Sequence, residues 1–569
     1  MVSNIVILTK SLDYISPKNK KRSSFLVFSV YWLILFILYL PAAKAGRVGD
    51  FPGWVNFLNS NNFFDYINRK GSGIASMYQF TQIVSYFFYR LFGTNAWLWH
   101  LLYISLQALN ALLLFVFFRR LFESSSVKNA VVVSFSGALL FCVSPYISEV
   151  VVWESSFHYL LSLLLMLIVL ICAQHYLLTR KKSYGWLGGV VFFLSSYSLE
   201  VFYLTPLFVF TLAVYYRSAL NYEKRVVKEL LLYFTLPQII IFIIYFSLLH
   251  VIYHSGIAHI GTVTIQLSSE NLSKALKYIF HILFFGRFFH TGMRNKIYHF
   301  CALTPVLWIF YSLFTLLLIV IILRYRRLAA NIKVSVLLLL WVCLSVALVM
   351  PLWFPETGLV ILDRYSYVLD AFIFMFVCLL LNNCCNKPVF ITIIFLYALL
   401  NIRFTHKVNA YWQQSAHIVN NLVATFPNDA SKIVLLLDLP ECLDGVQMVG
   451  TRDDGEFRMM YNAIMPQKIT NPVYDVEAFY LSSPADGAHI NVLNDSTIRV
   501  TLNQWGTWWL YYGLGATSYE NADFRVDMRD EGHWYDLILK HPVSEYLLLY
   551  NTGDQWQKAD LNKKNIDQY

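Results

Sequence analysis

The sequence predicts a polytopic α-helical membrane protein that carries a C-terminal extracytoplasmic α+β domain. Of its 569 residues, 57% are hydrophobic and 14% are charged, against about 25% charged in an ordinary soluble domain. Residues 1–402 hold 31 Lys and Arg against 13 Asp and Glu, whereas residues 403–569 hold 13 against 21. This division predicts a membrane region at 1–402 and a soluble domain at 403–569. The high hydrophobic content excludes a disordered chain and a purely soluble enzyme. The uneven distribution of charge argues against nucleic acid as a partner.

Apolar runs predict about eleven membrane-spanning helices, because a bilayer core of about 30 Å needs roughly 20 apolar residues per helix. The fifth and sixth runs are short and closely joined. The runs lie near 25–43, 97–118, 129–144, 155–178, 185–199, 201–217, 230–250, 302–323, 334–351, 366–382 and 388–402.

Positive charge predicts the orientation of these helices, since loops on the cytoplasmic side are enriched in Lys and Arg. With a cytoplasmic N-terminus, 20 basic residues of the membrane region lie inside and 11 lie outside. Residues 403–569 are then periplasmic or lumenal. The lone cysteine of this part, Cys442, and the lack of an evident retention signal favour a bacterial inner membrane. A signal peptide ending near Ala43-Lys44-Ala45 is the alternative interpretation of the first run.

Carboxylates near hydrocarbon tend to mark a working site or a specific ion pair, and nine of the thirteen acids in 1–402 fall on the predicted outer face. Asp50 lies in a Pro- and Gly-containing turn after the first run, where it can act as a general base. The alternative is a solvated loop acid. Glu149 and Glu154 precede the fourth run, with His158 one helical turn beyond Glu154. The alternative for this pair is a favourable interaction with a helix N-terminus.

Basic residues on the same face suggest phosphate binding. Arg364 opens the tenth run beside Tyr365, and a guanidinium can hold a phosphate with two parallel hydrogen bonds. The alternative is an interfacial anchor. Arg287, His290 and Arg294 form a basic, aromatic-rich segment that suits either a lipid-linked phosphate or ordinary headgroups. The histidine spacing there does not support a metal site, and we assign no metal ligands.

Several short segments resemble GT-C glycosyltransferases, among them protein O-mannosyltransferases and bacterial aminoarabinose transferase. They are Arg-Leu-Phe-Gly-Thr-Asn-Ala-Trp at 90–97, Ser-Pro…Glu…Trp at 144–153, Ser-Leu-Glu…Pro at 198–206 and Asp-Arg-Tyr-Ser-Tyr at 363–367. The resemblance covers most of 1–402, in the same order. Phe51 departs from it, because relatives often carry a second acid there, and so does Leu199, which stands where a Lys often occurs.

The resemblance implies that a sugar moves from a polyprenyl-phosphate donor to a hydroxyl on a lipid, glycan or protein acceptor. It implies Asp50 as catalytic base, Arg364 as a donor-phosphate contact and Glu149 lining the acceptor or metal region, where a divalent cation such as Mg²⁺ or Mn²⁺ remains possible. We therefore expect an inverting membrane glycosyltransferase. The alternatives are a transporter or flippase for lipid-linked sugars, an oligosaccharide ligase or polymerase, and a non-catalytic envelope scaffold.

The soluble domain shows strand and helix patterns of an α+β fold. We predict a buried strand at Ile433–Leu439 bounded by Pro440, strands at Thr497–Leu502 and Tyr546–Tyr550, and a helix at Ala410–Phe426.

Overall fold

The computed structural model describes most of the chain. The described residues are 20–43, 45, 51–68, 77–254, 268–350, 362–427, 431–449, 456–465, 467–502, 508–510, 517–529, 534–553 and 555–559. Asp50, the predicted catalytic base, lies outside them.

The N-terminal three quarters of the described chain is helical. Its α-helices are α1 (Lys20–Ala43), α2 (Phe51–Ser60), α3 (Phe63–Ile67), α4 (Gln79–Phe92), α5 (Ala96–Ser124), α6 (Ala130–Val143), α7 (Ser148–Val152), α8 (Phe157–Thr179), α9 (Ser183–Ser196), α10 (Thr205–Ala219), α11 (Lys224–Leu230), α12 (Leu236–Tyr253), α13 (Ser269–Leu283), α14 (Thr291–Ala302), α15 (Thr304–Arg324), α16 (Ala330–Val349), α17 (Tyr367–Cys384) and α18 (Lys387–Thr425).

Nine helices in the described residues are long and apolar enough to cross a membrane, and α6 with the segment Pro145–Val152, bent by 55°, makes up to ten. A helix lies at each of the eleven predicted runs. The fifth run forms α9, whose 14 residues rise only about 21 Å. It packs closely on the chain before α12, because a Cβ at Gly188 would lie 2.5 Å from the ring of Phe234.

The lateral surface of the bundle is apolar, as a lipid environment requires. The extreme case is α15, of which only 6% is buried within the protein and on which Trp308 is 71% exposed. Inside the bundle, Trp341 packs against the rings of Phe208 and Phe372 at 4.7 and 5.2 Å.

Two stretches of the sequence have the amphipathic, aromatic-rich pattern typical of helices at a membrane interface, and they behave differently in the structure. The stretch Tyr78–Phe92 forms α4, with Ile83, Phe87 and Leu91 exposed. The stretch Leu272–Phe289 forms α13 and a 3₁₀ turn, but α13 buries Lys274, Lys277 and His281 within the protein. Its polar side therefore faces protein groups.

The last helix joins the two parts of the molecule. α18 has 39 residues and passes through the predicted boundary at residue 402 without a break. Its C-terminal half, which confirms the predicted helix at 410–426 to within a residue, reaches the strand-containing domain. There Trp556 Nε1 donates to the Ile418 carbonyl at 3.2 Å. We call the end of the helical bundle next to this domain the domain-facing end.

The described residues of the C-terminal domain form three small sheets and one α-helix, α19 (Glu456–Ile464). Its strands are β1 (Ile433–Leu436), β2 (Leu439–Leu443), β3 (Val446–Gln447), β4 (Val473–Asp475), β5 (Ala478–Leu481), β6 (Ala488–Val492), β7 (Thr497–Leu502), β8 (Trp508–Leu510), β9 (Tyr519–Glu520), β10 (Phe524–Arg529), β11 (Trp534–Leu539), β12 (Tyr546–Asn551) and β13 (Trp556–Lys558).

The sheets have the strand orders β13-β12-β1-β4, β6-β7-β11-β10-β9 and β3-β2-β5-β8. β1 is parallel to β12 and β4, and β2 is parallel to β5. The predicted strands at 497–502 and 546–550 are confirmed. The prediction that Pro440 ends the first strand is wrong: β1 ends at Leu436, and Pro440 lies within β2, where an irregular register between Pro440 and Cys442 accommodates a residue without an N–H.

A half-buried acid in β2 predicts a pH-dependent stability. Burial raises the pKa of Glu441 to about 7, so the folded state holds a proton that the unfolded state loses near pH 4. Stability contributed by this group is present at low pH and is lost as pH rises toward about 7. In thermal melts of the purified full chain, Glu441→Gln should therefore lose less stability than the wild type between about pH 5 and about pH 8.

The matched control is Glu545→Gln, because Glu545 is exposed and its removal should leave the pH profile unchanged. Parallel profiles for Glu441→Gln and the wild type would contradict the prediction.

Candidate functional site

A buried ion pair lies at the domain-facing end of the bundle. The chain enters α17 through a 3₁₀ turn, Asp363–Ser366. The Arg364 guanidinium pairs through Nη1 with Glu149 Oε1, and the Arg364 backbone N–H donates to Glu149 Oε2 at 2.8 Å. Trp153 and Tyr365 flank the guanidinium, with their ring centroids 4.9 and 5.1 Å away. The sequence analysis selected both Glu149 and Arg364 as candidate site residues. They are 215 residues apart in the chain, and the structure places them in contact.

The residue before Arg364 forms a second buried pair. Asp363 accepts from Arg287 Nη1 and lies 3.0 Å from His281 Nε2. The other ring nitrogen of His281 lies 3.0 Å from the Tyr298 hydroxyl. Burial lowers the pKa of His281, and the hydrogen bond to Asp363 opposes that shift. Asp363 and His281 are therefore part of the site, although we did not select them from the sequence.

The two arginines differ in accessibility. The Arg287 side chain is 2% exposed, and its Nε has no hydrogen-bond partner among the described residues. The Arg364 side chain is 17% exposed, and the described residues engage only its Nη1. Since a guanidinium carries five N–H donors, Arg364 has donors that none of the described residues engages, whereas Arg287 is enclosed.

A polar group at the start of α4 adjoins this site. Tyr78 donates to Glu200 Oε2 at 2.8 Å and stacks on His158 with the ring centroids 5.6 Å apart. Tyr159 connects the two groups, because its ring lies 4.7 Å from His158 and 6.5 Å from Tyr365. Predicted residue His158 is thus connected to Arg364 through the rings of Tyr159 and Tyr365.

An aromatic cluster extends from the start of α2 toward Glu154. The ring of Phe51 contacts Trp99 at 6.2 Å, Trp99 contacts Tyr103 at 5.9 Å, and Tyr103 contacts Phe157 at 5.6 Å. Glu154 is buried beside this cluster, at the start of the turn that leads into α8. Phe51, the residue that follows Asp50 in the chain, therefore belongs to the aromatic cluster that extends to Glu154.

The remaining predicted residues have structural contacts of their own. His290 is exposed, and its Nδ1 accepts from the Gly292 N–H at the start of α14. Arg294 is buried and donates to the Arg287 carbonyl at 3.3 Å. Within the part of the chain that the structure describes, no group of three His, Cys, Asp or Glu residues is arranged to hold a metal ion.

Comparisons with known proteins do not add to this picture. No protein-family model matches the chain, and a search of curated proteins finds no matching relative.

The buried pair predicts a large stability loss when one partner is removed. Glu149→Gln leaves the Arg364 charge without the only ion-pair partner that it has among the described residues, so we expect a loss of about 3–5 kcal/mol. Thermal or denaturant unfolding of the purified full chain would measure it.

The matched control is Glu123→Gln, which removes the partner of Arg119 in the more exposed i,i+4 pair of α5 and should cost at most about 0.5 kcal/mol. Equal losses for the two variants would contradict the prediction, because the Glu149–Arg364 pair would then contribute no more to the free energy of unfolding than a surface pair.

Proposed function

We propose that the protein is a GT-C-type membrane glycosyltransferase that moves a sugar from a polyprenyl-phosphate donor to a hydroxyl acceptor at the extracytoplasmic face of a bacterial inner membrane. In this proposal the C-terminal domain is periplasmic. The acceptor is a lipid, glycan or protein hydroxyl.

The observation that carries the proposal is the contact between Glu149 and Arg364. These residues lie in two separate segments that resemble the family, and they meet at one end of the bundle. A buried charge pair in a membrane region is costly, and residues of this kind are retained mainly where they serve a site. The end of α1 joins the same region, because Asn409 of α18 donates to the Leu38 carbonyl at 2.9 Å and accepts from Ser148 Oγ at 2.7 Å.

The proposed reaction uses two groups of this chain. The Asp50 carboxylate takes the proton of the acceptor hydroxyl, whose oxygen attacks C1 of the donor sugar from the side opposite the phosphate. The bond between C1 and the phosphate oxygen breaks, and the polyprenyl phosphate leaves. The available N–H groups of Arg364 stabilise the negative charge that grows on that phosphate, an effect that is strongest where water is scarce. Tyr365 and Trp153 hold the guanidinium plane, and Glu149 fixes one edge of it.

The decisive test is the replacement of the proposed base. Asp50→Asn should fold and bind the donor but lower sugar transfer by about 10²–10⁴-fold, the contribution typical of a general base. Purified protein in detergent or liposomes would be incubated with polyprenyl-phosphate sugars, and the released lipid phosphate would be measured.

The matched control is Asp65→Asn, because Asp65 is a half-buried acid of the neighbouring α3 that accepts from Asn62 at a helix N-terminus. We expect it to keep transfer. Unchanged turnover in Asp50→Asn would refute the role of Asp50. Flux of lipid-linked sugar across vesicles without any transfer would support transport instead.

A further inference from the structure

The hairpin formed by β2 and β3 has a tightly specified tip. Leu443 pairs with Val446, so the turn contains only Asp444 and Gly445, whose φ angles are +45° and +83°. Two successive positive φ angles define a type I′ turn, for which Asp-Gly is a favoured sequence. Tyr480 donates to Asp444 Oδ1 at 3.0 Å, which fixes the tip from the neighbouring strand.

This tip contacts the membrane region directly. Arg287 Nη2 donates to the backbone carbonyl of Asp444. Val446 is 1% exposed and belongs to the apolar core of the helical bundle rather than to that of the C-terminal domain. Leu362 packs against Cys442 and Tyr480 on the same side. The hairpin tip is therefore inserted among groups of the bundle.

The contact reaches the candidate site through one side chain. Arg287 holds the Asp444 carbonyl with Nη2 and the Asp363 carboxylate with Nη1. Asp363 is bonded to Arg364 along the backbone, and Leu362, which the hairpin covers, precedes them both. A displacement of the hairpin would leave Arg287 with one partner fewer and would free the start of the 3₁₀ turn that orients Arg364.

We propose that the β2–β3 hairpin is a clamp, in which Asp444 and Arg287 act as positioning residues that hold the Asp363–Ser366 turn so that Arg364 faces Glu149. The C-terminal domain then completes the site of the membrane region and is not a separate binding module. The catalytic consequence of this clamp rests on the function proposed above. Its structural consequence does not.

The test loosens the tip without touching the membrane region. Gly445→Val places a β-branched residue at a positive φ angle, which such residues disfavour. Tyr480→Phe is the milder variant, which removes the hydroxyl that donates to Asp444. Hydrogen exchange of the detergent-solubilised full chain should rise at residues 286–288 and 363–366 by about tenfold or more in Gly445→Val, as expected when a hydrogen bond to a charged group is lost. Exchange in α5 and α8 should be unchanged. In the transfer assay the donor KM should rise by a similar factor, while kcat changes little.

Gly553→Val is the matched control, because Gly553 also has a positive φ angle, +131°, and lies in the β12–β13 turn. It should destabilise the C-terminal domain without raising exchange at 286–288 and 363–366. The clamp is overturned if neither Gly445→Val nor Tyr480→Phe raises exchange there, or if Gly553→Val raises it equally. If exchange rises as expected but the wild type transfers no sugar, the clamp stands and the proposed function fails.

Discussion

Two adjacent residues of opposite charge, Asp363 and Arg364, are buried where the chain enters α17, and much of the arrangement follows from the need to compensate both charges. Neither can satisfy the other, because successive residues of the 3₁₀ turn point in different directions. Asp363 pairs with Arg287 and His281, while Arg364 pairs with Glu149. An uncompensated buried charge costs several kcal/mol. The segment around residue 149 and the segment 281–287 are therefore held beside residues 363 and 364, although these three segments lie far apart in sequence.

The same requirement ties the C-terminal domain to the bundle. Arg287 shares its guanidinium between Asp363 and the Asp444 carbonyl, and Val446 adds an apolar contact beside it. The continuous helix α18 provides a second connection. A domain that was joined only by a flexible linker would be free to move relative to the bundle. Here a continuous helix and a buried hydrogen bond both connect the domain to the bundle.

Composition, charge and periodicity predicted the membrane region, a helix at each of the eleven apolar runs, the α+β character of the end of the chain and the strand at 497–502. The shortness of the fifth run was visible in the sequence, and in the structure this run forms the 14-residue α9. The burial of Lys274 and Lys277 was missed, since an amphipathic pattern does not distinguish lipid and water from apolar and polar protein neighbours. For the site, the placement of charged residues on the predicted outer face selected Glu149 and Arg364, and the resemblance to a family implied their roles. No sequence pattern showed that Asp363 would turn the other way and recruit His281, because that depends on the 3₁₀ turn.

The departure at Phe51 has a physical explanation in the structure. Phe51 is 1% exposed and packs against Trp54 and Trp99, so an ionised carboxylate at this position would lie among aromatic rings with its charge unsolvated. A second acid next to Asp50 is therefore incompatible with this packing. The proposed chemistry must then depend on a single carboxylate from this loop. In the proposed reaction Arg364, and not Arg287, is assigned the charge on the departing phosphate, because Arg287 is enclosed between Asp363 and the hairpin. The proposal thus depends on one acid, Asp50, and on one arginine, Arg364, whose guanidinium is flanked by the rings of Trp153 and Tyr365 and paired with the buried Glu149.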